Sequence, residues 1–379
     1  MANVSRETNK NEYDVIIVGA GLCGSESAAL ISKYNIKTLI INISMDNPGY
    51  IKYENVIKDI AGETIERINR VEGFFAKNIK RSAILHKRTE NKGYDACIID
   101  RKRFSLNYKY FLETRKNIDT RQGLVKKIKI KEKGNFEVLL NDGEEYVSEF
   151  LIISCGTFLN GLTFFGENKI KAGRHGEISS VSLAENLKEA GIAFERKSVY
   201  VPARIDGKNI EKYEKIINKE FASPANKKNR KFALSTFYKN ELNDIYKNGA
   251  DNIYKKYINT AKENKYPEIF MLYPESFETQ EYTIENFISV KEEPLQEQII
   301  NQIYCLERVI LTRPSYMIEY DGVKANQLTN NYESKIYSKL YFPGEINGTG
   351  GYAEIVYQGI LSAAEIINKF YKKKLINMK

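Results

Sequence analysis

Three glycines near the start of the chain have the spacing of a phosphate-binding turn. Gly19, Gly21 and Gly24 form a G-x-G-x-x-G pattern between the apolar run Val15 to Val18 and an alanine-rich stretch of helical character. In such a turn the first glycine allows a tight bend, the second admits a pyrophosphate, and the third lets helix pack on strand. A second apolar run, Thr38 to Ile41, completes a βαβ unit. We predict a dinucleotide site here, with an ordinary turn as the alternative.

The residue expected to contact the ribose is unusual. An NAD or FAD site commonly has Asp or Glu at the end of the second strand, where its carboxylate accepts both ribose hydroxyls. This chain has Asn42 at that point, and the nearest acid, Asp46, lies in the following loop. Because an amide can still hydrogen-bond a hydroxyl, Asn42 is a candidate ribose contact. A plain loop role is the alternative.

Two later stretches are predicted to return to the same nucleotide. The apolar run Phe150 to Phe158 ends in Gly156-Thr157, and its Cys155 is interpreted as a packed core thiol. A glycine-rich loop then precedes the helical stretch Ala353 to Phe370, so that a second positive helix end would face the cofactor and stabilise negative charge on a reduced flavin. The candidate contacts in this loop are Gly344, Glu345, Asn347, Gly348, Thr349, Gly350, Gly351 and Tyr352.

A polar, aromatic stretch supplies the candidate catalytic groups. Arg313, Tyr316, Glu319 and Tyr320 follow the apolar run that begins at Val309. We expect them to face the substrate, with the tyrosines and the glutamate as proton donors or acceptors. The flexible loop 172–176 carries Arg174 and His175. It is predicted either to touch a phosphate or substrate or to form an ordinary surface turn.

The elements that must position these residues indicate an α/β protein. The prediction is an FAD-binding, doubly wound, Rossmann-like domain with an inserted β-meander between residues 121 and 142 and a second inserted α+β domain. The predicted division is 12–195 for the first part of the FAD-binding domain, 196–299 for the inserted substrate or cap domain, and 300–379 for the second part. Further expected elements are a helical pattern within 48–80, helices at 101–115, 211–220, 241–262 and 295–306, and strands at 269–273 and 287–290.

Composition limits the remaining possibilities. The formal net charge of +9 is compatible with binding RNA, and the densest basic patches are residues 227–231 and 372–374. The chain shows no signal sequence and no apolar run of the roughly 20 residues that span a bilayer, so we expect a cytoplasmic protein without membrane contact. Four scattered cysteines and two histidines make no metal set, which favours reduced thiols and no metal site.

Taken together, the motifs resemble those of the MnmG (GidA) family of FAD-dependent tRNA wobble-uridine modification proteins. The resemblance covers most of residues 12–370. The stretches that carry it are the opening glycine pattern with Glu26, the segments 156–161 and 173–176, Arg-Pro-Ser-Tyr-Met-Ile-Glu-Tyr-Asp at 313–321, and Gly344 to Tyr352 with Gln358-Gly359.

The resemblance implies FAD as the cofactor and NADH as its reductant. It also implies tRNA or another RNA as the substrate, a one-carbon unit from methylene-tetrahydrofolate joined to uridine C5, a partner GTPase and a homodimer. The family's Cys-Asn-Pro-x-Ile-Gly-Gly segment is replaced by Tyr50 to Val56, and its Cys-Pro-Ser-Ile-Glu-Asp-Lys string is missing. A thiolate could activate uracil by adding to C6, so these departures remove the obvious nucleophiles. The chain also stops at Lys379, where the family continues into a helical region.

Three hypotheses therefore remain open. The first is flavin-dependent redox or one-carbon chemistry on uridine in RNA. The second is an FAD-dependent oxidoreductase acting on a small molecule, and the third is a non-catalytic FAD-binding paralogue that stabilises or regulates a partner.

Overall fold

The computed structural model describes residues 11–58, 63–88, 95–131, 134–210, 221–222, 234–236, 270–285, 287, 291–301 and 306–378. In chain order, the elements up to the ninth strand are β1 (Glu12–Val18), α1 (Leu22–Ile31), β2 (Thr38–Asn42), β3 (Val56–Ile57), α2 (Thr64–Arg70), α3 (Phe74–Ser82), β4 (Ala83–Arg88), β5 (Asp95–Ile99), α4 (Arg101–Glu113), β6 (Ile118–Gln122), β7 (Val125–Ile130), β8 (Phe136–Leu140) and β9 (Glu145–Ile153).

The later elements are mostly short strands. They are β10 (Leu162–Phe165), β11 (Asn168–Ile170), β12 (Ala172–Arg174), β13 (Glu177–Ile178), α5 (Val181–Glu189), β14 (Phe194–Val201), β15 (Arg204–Asp206), β16 (Phe221–Ala222), β17 (Leu234–Thr236), β18 (Phe270–Pro274), β19 (Glu281–Ile284), α6 (Glu293–Ile300), β20 (Ile310–Arg313), β21 (Tyr316–Val323), β22 (Leu340–Tyr341) and α7 (Tyr352–Phe370).

A parallel sheet with strand order β6-β2-β1-β9 forms the centre of the molecule. The inner strands β1, β2 and β9 carry buried apolar runs because both faces of the sheet are covered there, whereas the edge strand β6 is mostly exposed. Val15 and Ile17 pack with α1, α4 and α7 on one face, whereas Ile16 and Val18 pack with α5 and the meander strands on the other. This arrangement confirms the predicted doubly wound α/β fold.

The far edge of β9 has two neighbours. Its first half pairs with β8 in the antiparallel sense, and β7 follows beyond β8, which confirms the predicted meander. Its second half pairs with β22 in the parallel sense. Since β22 leads to the glycine loop before α7, this pairing brings the end of the chain beside the opening turn.

Four smaller sheets are formed by the described residues. Their orders are β11-β10-β21-β14, β12-β13, β17-β18-β19-β15-β20 and β16-β4-β5-β3. The predicted boundary between residues 195 and 196 falls inside β14. The strand β15 of the second predicted segment pairs with β20 of the third. The division into three segments stays a prediction.

Several expected elements differ in the structure. The helical pattern within 48–80 resolves into β3, α2 and α3, because Ile57 lies in a strand paired with Cys97, while Glu72, at φ 52°, and Gly73 separate the two helices. The helix at 295–306 is α6, which ends at Ile300. Of the strand expected at 287–290, Phe287 lies outside any strand and 288–290 lie outside the described residues. The helices expected at 211–220 and 241–262 also lie outside the described residues. Within those described, no helix is long and apolar enough to cross a membrane.

Candidate cofactor and substrate site

The glycine turn joins β1 to α1 with little space to spare. Gly19 has φ 101°, and a Cβ there would lie 2.7 Å from the Ser154 carbonyl oxygen. A Cβ on Gly24 would lie 1.9 Å from the Gly19 carbonyl oxygen, so helix and turn touch at that position. By contrast, a Cβ on Gly21 would meet no atom within 4 Å. The turn is therefore closed on the protein side and open where a phosphate would approach.

The two helices that start at this site have bare N-termini. Gly21 precedes α1 and Gly351 precedes α7, and neither helix start has a side-chain cap. The first N–H groups of a helix have no intrahelical partner and carry a partial positive charge. Both helix starts can therefore donate hydrogen bonds to an anionic ligand.

Asn42 braces the turn from the end of β2. Its Oδ1 accepts a hydrogen bond from the Ala20 N–H at 3.1 Å, and its Nδ2 donates to the Ser44 carbonyl oxygen at 2.6 Å. Both ends of the amide are thus bonded within the protein. Its contact with a ribose stays a prediction.

A cavity of about 130 Å³ lies at the open side of the turn. It is smaller than the roughly 300–1,000 Å³ of typical small-molecule sites, so only part of a dinucleotide would be enclosed there. Among the predicted cofactor contacts, those that line it are Gly19, Gly21, Asn42, Gly156, Thr157, Glu345 and Tyr352. The half-buried Cys155 also lines it, and burial raises the pKa of its thiol to about 12.

The loop 344–351 is shaped by one side chain of α7. The Gln358 Oε1 accepts hydrogen bonds from the Gly344 N–H at 2.8 Å and from Asn347 Nδ2 at 2.7 Å, while its Nε2 donates to Thr349 Oγ1 at 2.5 Å. Asn347 and Thr349 therefore hold the loop in shape. Gly344, Gly348 and Gly351 have φ between 84° and 89°, a region that favours glycine.

Lys52 and Glu345 form an ion pair beside the cavity, and no sequence motif indicates this pair. The Lys52 ammonium contacts the Glu345 carboxylate and donates to Thr157 Oγ1 at 2.9 Å, and the Tyr53 hydroxyl donates to the same carboxylate. Burial raises the pKa of Glu345, and the positive charge of Lys52 opposes that rise. Lysine and glutamate distant in sequence gave no pattern that could reveal this pair.

A second cavity of about 620 Å³ adjoins the first. Five residues line both cavities: Asn47, Tyr50, Lys52, Arg174 and Glu177. The larger cavity carries six lysine or arginine side chains and three glutamates, namely Lys52, Arg101, Lys102, Arg174, Arg204, Arg313, Glu177, Glu275 and Glu281. Its surplus of positive charge favours an anionic substrate.

A buried ion network forms one wall of the larger cavity. Arg101 binds the Glu275 carboxylate through two nitrogens, at 2.6 and 2.9 Å, and Arg204 lies 3.4 Å from the same carboxylate. All three side chains are at most 6% exposed. Arg101 also donates to the carbonyl oxygens of Ile51 and Tyr53. The network therefore fixes the segment 50–53 between the two cavities.

The structure brings two of the four predicted catalytic residues together. Arg313 and Tyr316 line the larger cavity, where Tyr316 packs against the rings of Phe165 and His175. Glu319 and Tyr320 line neither cavity. Glu319 lies 3.5 Å from Arg196, and the Tyr320 hydroxyl donates to the Glu345 carbonyl oxygen at 3.0 Å, so it supports the glycine loop.

Fold and site together define a class of protein. A parallel sheet, a glycine turn closed toward the protein, and two uncapped helix starts facing one cleft are the features of Rossmann-like flavoproteins. The open face of Gly21 and the bare start of α1 fit the pyrophosphate of FAD.

The chain belongs to the GidA family, described as glucose inhibited division protein A, which matches residues 14–231 and 209–374. The family and the fold support FAD as the cofactor. Curated relatives named tRNA uridine 5-carboxymethylaminomethyl modification enzyme MnmG occur in Flavobacterium johnsoniae and Enterococcus faecalis. Each is 28% identical to this chain, and the alignment covers 97% of the chain.

Solved structures of similar proteins share this fold. The chain resembles Aquifex aeolicus GidA with a TM-score of 0.85 and 25% identity over 97% of this chain and 64% of that one. A GidA-related protein of Thermus thermophilus, at 14% identity and a TM-score of 0.50, is covered over 99% of its length and shows the fold alone. The chain spans about 64% of the length of the curated relatives.

Proposed function

We propose that this protein is an FAD-dependent enzyme, reduced by NADH, that modifies uridine in tRNA. The observation that carries the proposal is the cationic 620 Å³ cavity adjoining the nucleotide cleft. The names of the curated relatives supply the substrate class. The alternatives of a small-molecule oxidoreductase and of a non-catalytic FAD-binding paralogue have no comparable support.

In this proposal the nucleotide cleft holds FAD. The backbone N–H groups at the start of α1 would hold the pyrophosphate, and those at the start of α7 would stabilise negative charge on the flavin. The bound flavin supplies electron transfer. Lys52, held by Glu345 and Thr157, lies between the cofactor cleft and the substrate cavity.

The larger cavity holds the substrate in the same proposal. Arg174 and Arg313 bind phosphate oxygens of the RNA, because guanidinium groups match that geometry. Tyr316, which is buried and stacked on Phe165 with ring centroids 5.1 Å apart, forms an aromatic part of the cavity wall. Glu275 stays ionised, because its neighbours Arg101 and Arg204 outweigh the effect of burial and lower its pKa.

The experiment has two parts. The purified protein is examined for a flavin absorbance spectrum and for bleaching of that spectrum by NADH. Nucleosides from the tRNA of a strain lacking the gene are then compared by mass spectrometry with those of the same strain carrying it. We expect a yellow protein that NADH reduces and a modified uridine that appears only with the gene.

Each part can fail separately. A colourless protein that cannot be reconstituted with FAD would contradict the cofactor assignment. A yellow protein with unchanged tRNA nucleosides would contradict the substrate assignment alone. Arg313→Gln serves as a further check, since loss of this guanidinium should weaken RNA binding and its salt dependence without lowering the FAD content.

A further inference from the structure

Tyr50 occupies the boundary between the two cavities. Its side chain is partly exposed and lines both of them. The backbone around it is fixed by Arg101, which donates to the carbonyl oxygens of Ile51 and Tyr53. A group at this point faces the cofactor cleft on one side and the substrate cavity on the other.

Three guanidinium groups from separate parts of the chain surround the Tyr50 ring. The Arg174 Cζ lies 4.1 Å and the Arg101 Cζ 5.7 Å from the ring centroid, and Arg204 Nη2 lies 3.2 Å from the hydroxyl oxygen. The acids nearby are already engaged. Glu275 is shared between Arg101 and Arg204, and Glu177 pairs with Arg174. Among the described residues, Tyr316 and Tyr352 also interact electrostatically with Tyr50.

The Tyr50 hydroxyl accepts a hydrogen bond from Arg204, and its own proton remains available for donation. A guanidinium has donors only, so the Tyr50 oxygen must accept the bond from Arg204. Within the described part of the chain, no hydrogen bond donated by the Tyr50 hydroxyl is found. Its O–H is therefore available to a ligand in the cavities.

The same surroundings favour the ionised form of the phenol. Burial raises the pKa of Tyr50, but the charges of Arg101, Arg204 and Arg174 outweigh burial and bring the pKa to about 8. Tyr316, in the same cavity, behaves in the opposite way, because burial raises its pKa and the opposing effects of the His175 N–H, Arg174 and Lys52 are smaller. The three arginines thus distinguish Tyr50 from its neighbour.

We propose that Tyr50 is the acid–base residue of the site and exchanges a proton with the substrate held in the cationic cavity. The phenolate oxygen forms a bond to the substrate proton, and the electrons of the broken bond stay on the substrate. The phenol then returns the proton to a basic atom later in the cycle. This role rests on the proposed function, because it needs a substrate in that cavity.

The test compares the wild-type protein with Tyr50→Phe, Arg174→Gln and the surface control Tyr110→Phe. Uridine modification is followed as a function of pH with tRNA from the strain lacking the gene. The FAD content of each variant checks that it folds. In parallel, the tyrosinate absorbance of the wild type and of Tyr50→Phe is titrated, and the difference isolates one phenol among 26 tyrosines.

The expected results follow because the Tyr50 phenol must be ionised before it can accept a proton. The wild-type rate rises with pH to a midpoint near 8, and Tyr50→Phe loses this rise together with about 100-fold in rate, the lower end of general acid–base contributions. Arg174→Gln moves the midpoint upward, because one stabilising cation is gone. Tyr110, which is 58% exposed on α4, can be changed without effect.

Two results would overturn the proposal. One is a folded Tyr50→Phe variant with a rate within threefold of the wild type and the same pH midpoint, which leaves the proposed function intact. The other is a difference titration in which no phenol ionises near pH 8. The titration needs no RNA, so it decides about Tyr50 even if the wild type modifies no uridine. If Tyr50→Phe fails to fold, an unmoved midpoint in Arg174→Gln contradicts the proposal in its place.

Discussion

The glycine turn and the segment 50–53 form two walls of one site, but they are specified in different ways. The turn needs Gly19, Gly21 and Gly24 within six positions, and these residues with the strand before them set its backbone path, which Asn42 and Ser154 support. The segment 50–53 is held by Arg101 and Glu275, which are 174 residues apart. The cofactor side of the site is thus encoded locally, and the substrate side depends on the assembled fold.

Removal of Glu275 tests the wall formed by the segment 50–53 and should have the largest effect on stability. Glu275→Ala leaves Arg101 and Arg204 buried without their shared carboxylate, which should cost about 3–5 kcal/mol of unfolding free energy. Urea unfolding followed by circular dichroism measures the loss. As control, Glu63→Ala removes the exposed partner of Arg67 and should leave the midpoint unchanged. A loss below about 1 kcal/mol for Glu275→Ala would show that the network does not hold the wall.

A pair of glycine variants tests the local wall. Gly24→Ala places a Cβ 1.9 Å from the Gly19 carbonyl oxygen and should cost about 3 kcal/mol of stability, along with FAD binding. Gly21→Ala meets no protein atom within 4 Å, so it should keep the unfolding midpoint. It should nevertheless weaken FAD binding at least about tenfold, equal to about 1.4 kcal/mol, by filling the space of the pyrophosphate. Fluorescence titration with FAD separates the two effects, and equal binding by Gly21→Ala and the wild type would place the phosphates elsewhere.

The same contrast explains what could be predicted from the sequence. The doubly wound sheet, the turn and the start of α7 were all visible, because apolar runs and glycine spacing report on neighbouring residues. The cationic cavity was not visible as a unit. In the sequence, Arg101 at the start of α4 and Arg204 on β15 look like ordinary charged residues. The pairing of β15 with β19 and of β19 with β18 brings Arg204 to Glu275, where α4 also places Arg101.

Individual residues show the same limit. The sequence predicts a polar, aromatic loop for Tyr316, Glu319 and Tyr320, but the structure places them on β21. Side chains alternate along that strand, so Glu319 lies on the face opposite Tyr316. Lys52 gave no signal because a lone lysine in a loop is ordinarily solvated. Its importance depends on Glu345, which reaches it only after β22 has paired with β9.

Glu26 joins α1 to α3 and α4 and makes stability depend on pH. Its Oε2 accepts hydrogen bonds from the Phe75 N–H at 3.0 Å and the Tyr108 hydroxyl at 2.7 Å, so a residue of α1 satisfies the start of α3. Burial raises the pKa of Glu26, and these bonds oppose the rise only in part. With a raised folded pKa, the group stabilises the fold below its unfolded pKa, and this contribution is lost as pH rises through the folded value.

Glu26→Gln should therefore remove part of that pH dependence. Relative to the variant, the wild type should lose up to about 1.4 kcal/mol per pH unit between the ordinary glutamate pKa and the raised one. Urea unfolding at a series of pH values measures the difference. Parallel curves for the two proteins would show that Glu26 titrates normally in the fold.

The smallest effect on stability is expected at Asn42, where the dinucleotide-binding motif usually has an acidic residue. Asn42→Asp keeps the acceptor for the Ala20 N–H but loses the donor that bonds the Ser44 carbonyl oxygen at 2.6 Å. The carboxylate would face that carbonyl, and we expect a loss of about 1 kcal/mol in stability, the usual size of one hydrogen bond. Bound FAD should recover part of the loss if the ribose hydroxyls donate to the new carboxylate. Thermal unfolding with and without FAD measures both quantities, and a variant as stable as the wild type without FAD would mean that Asn42 does not brace the turn.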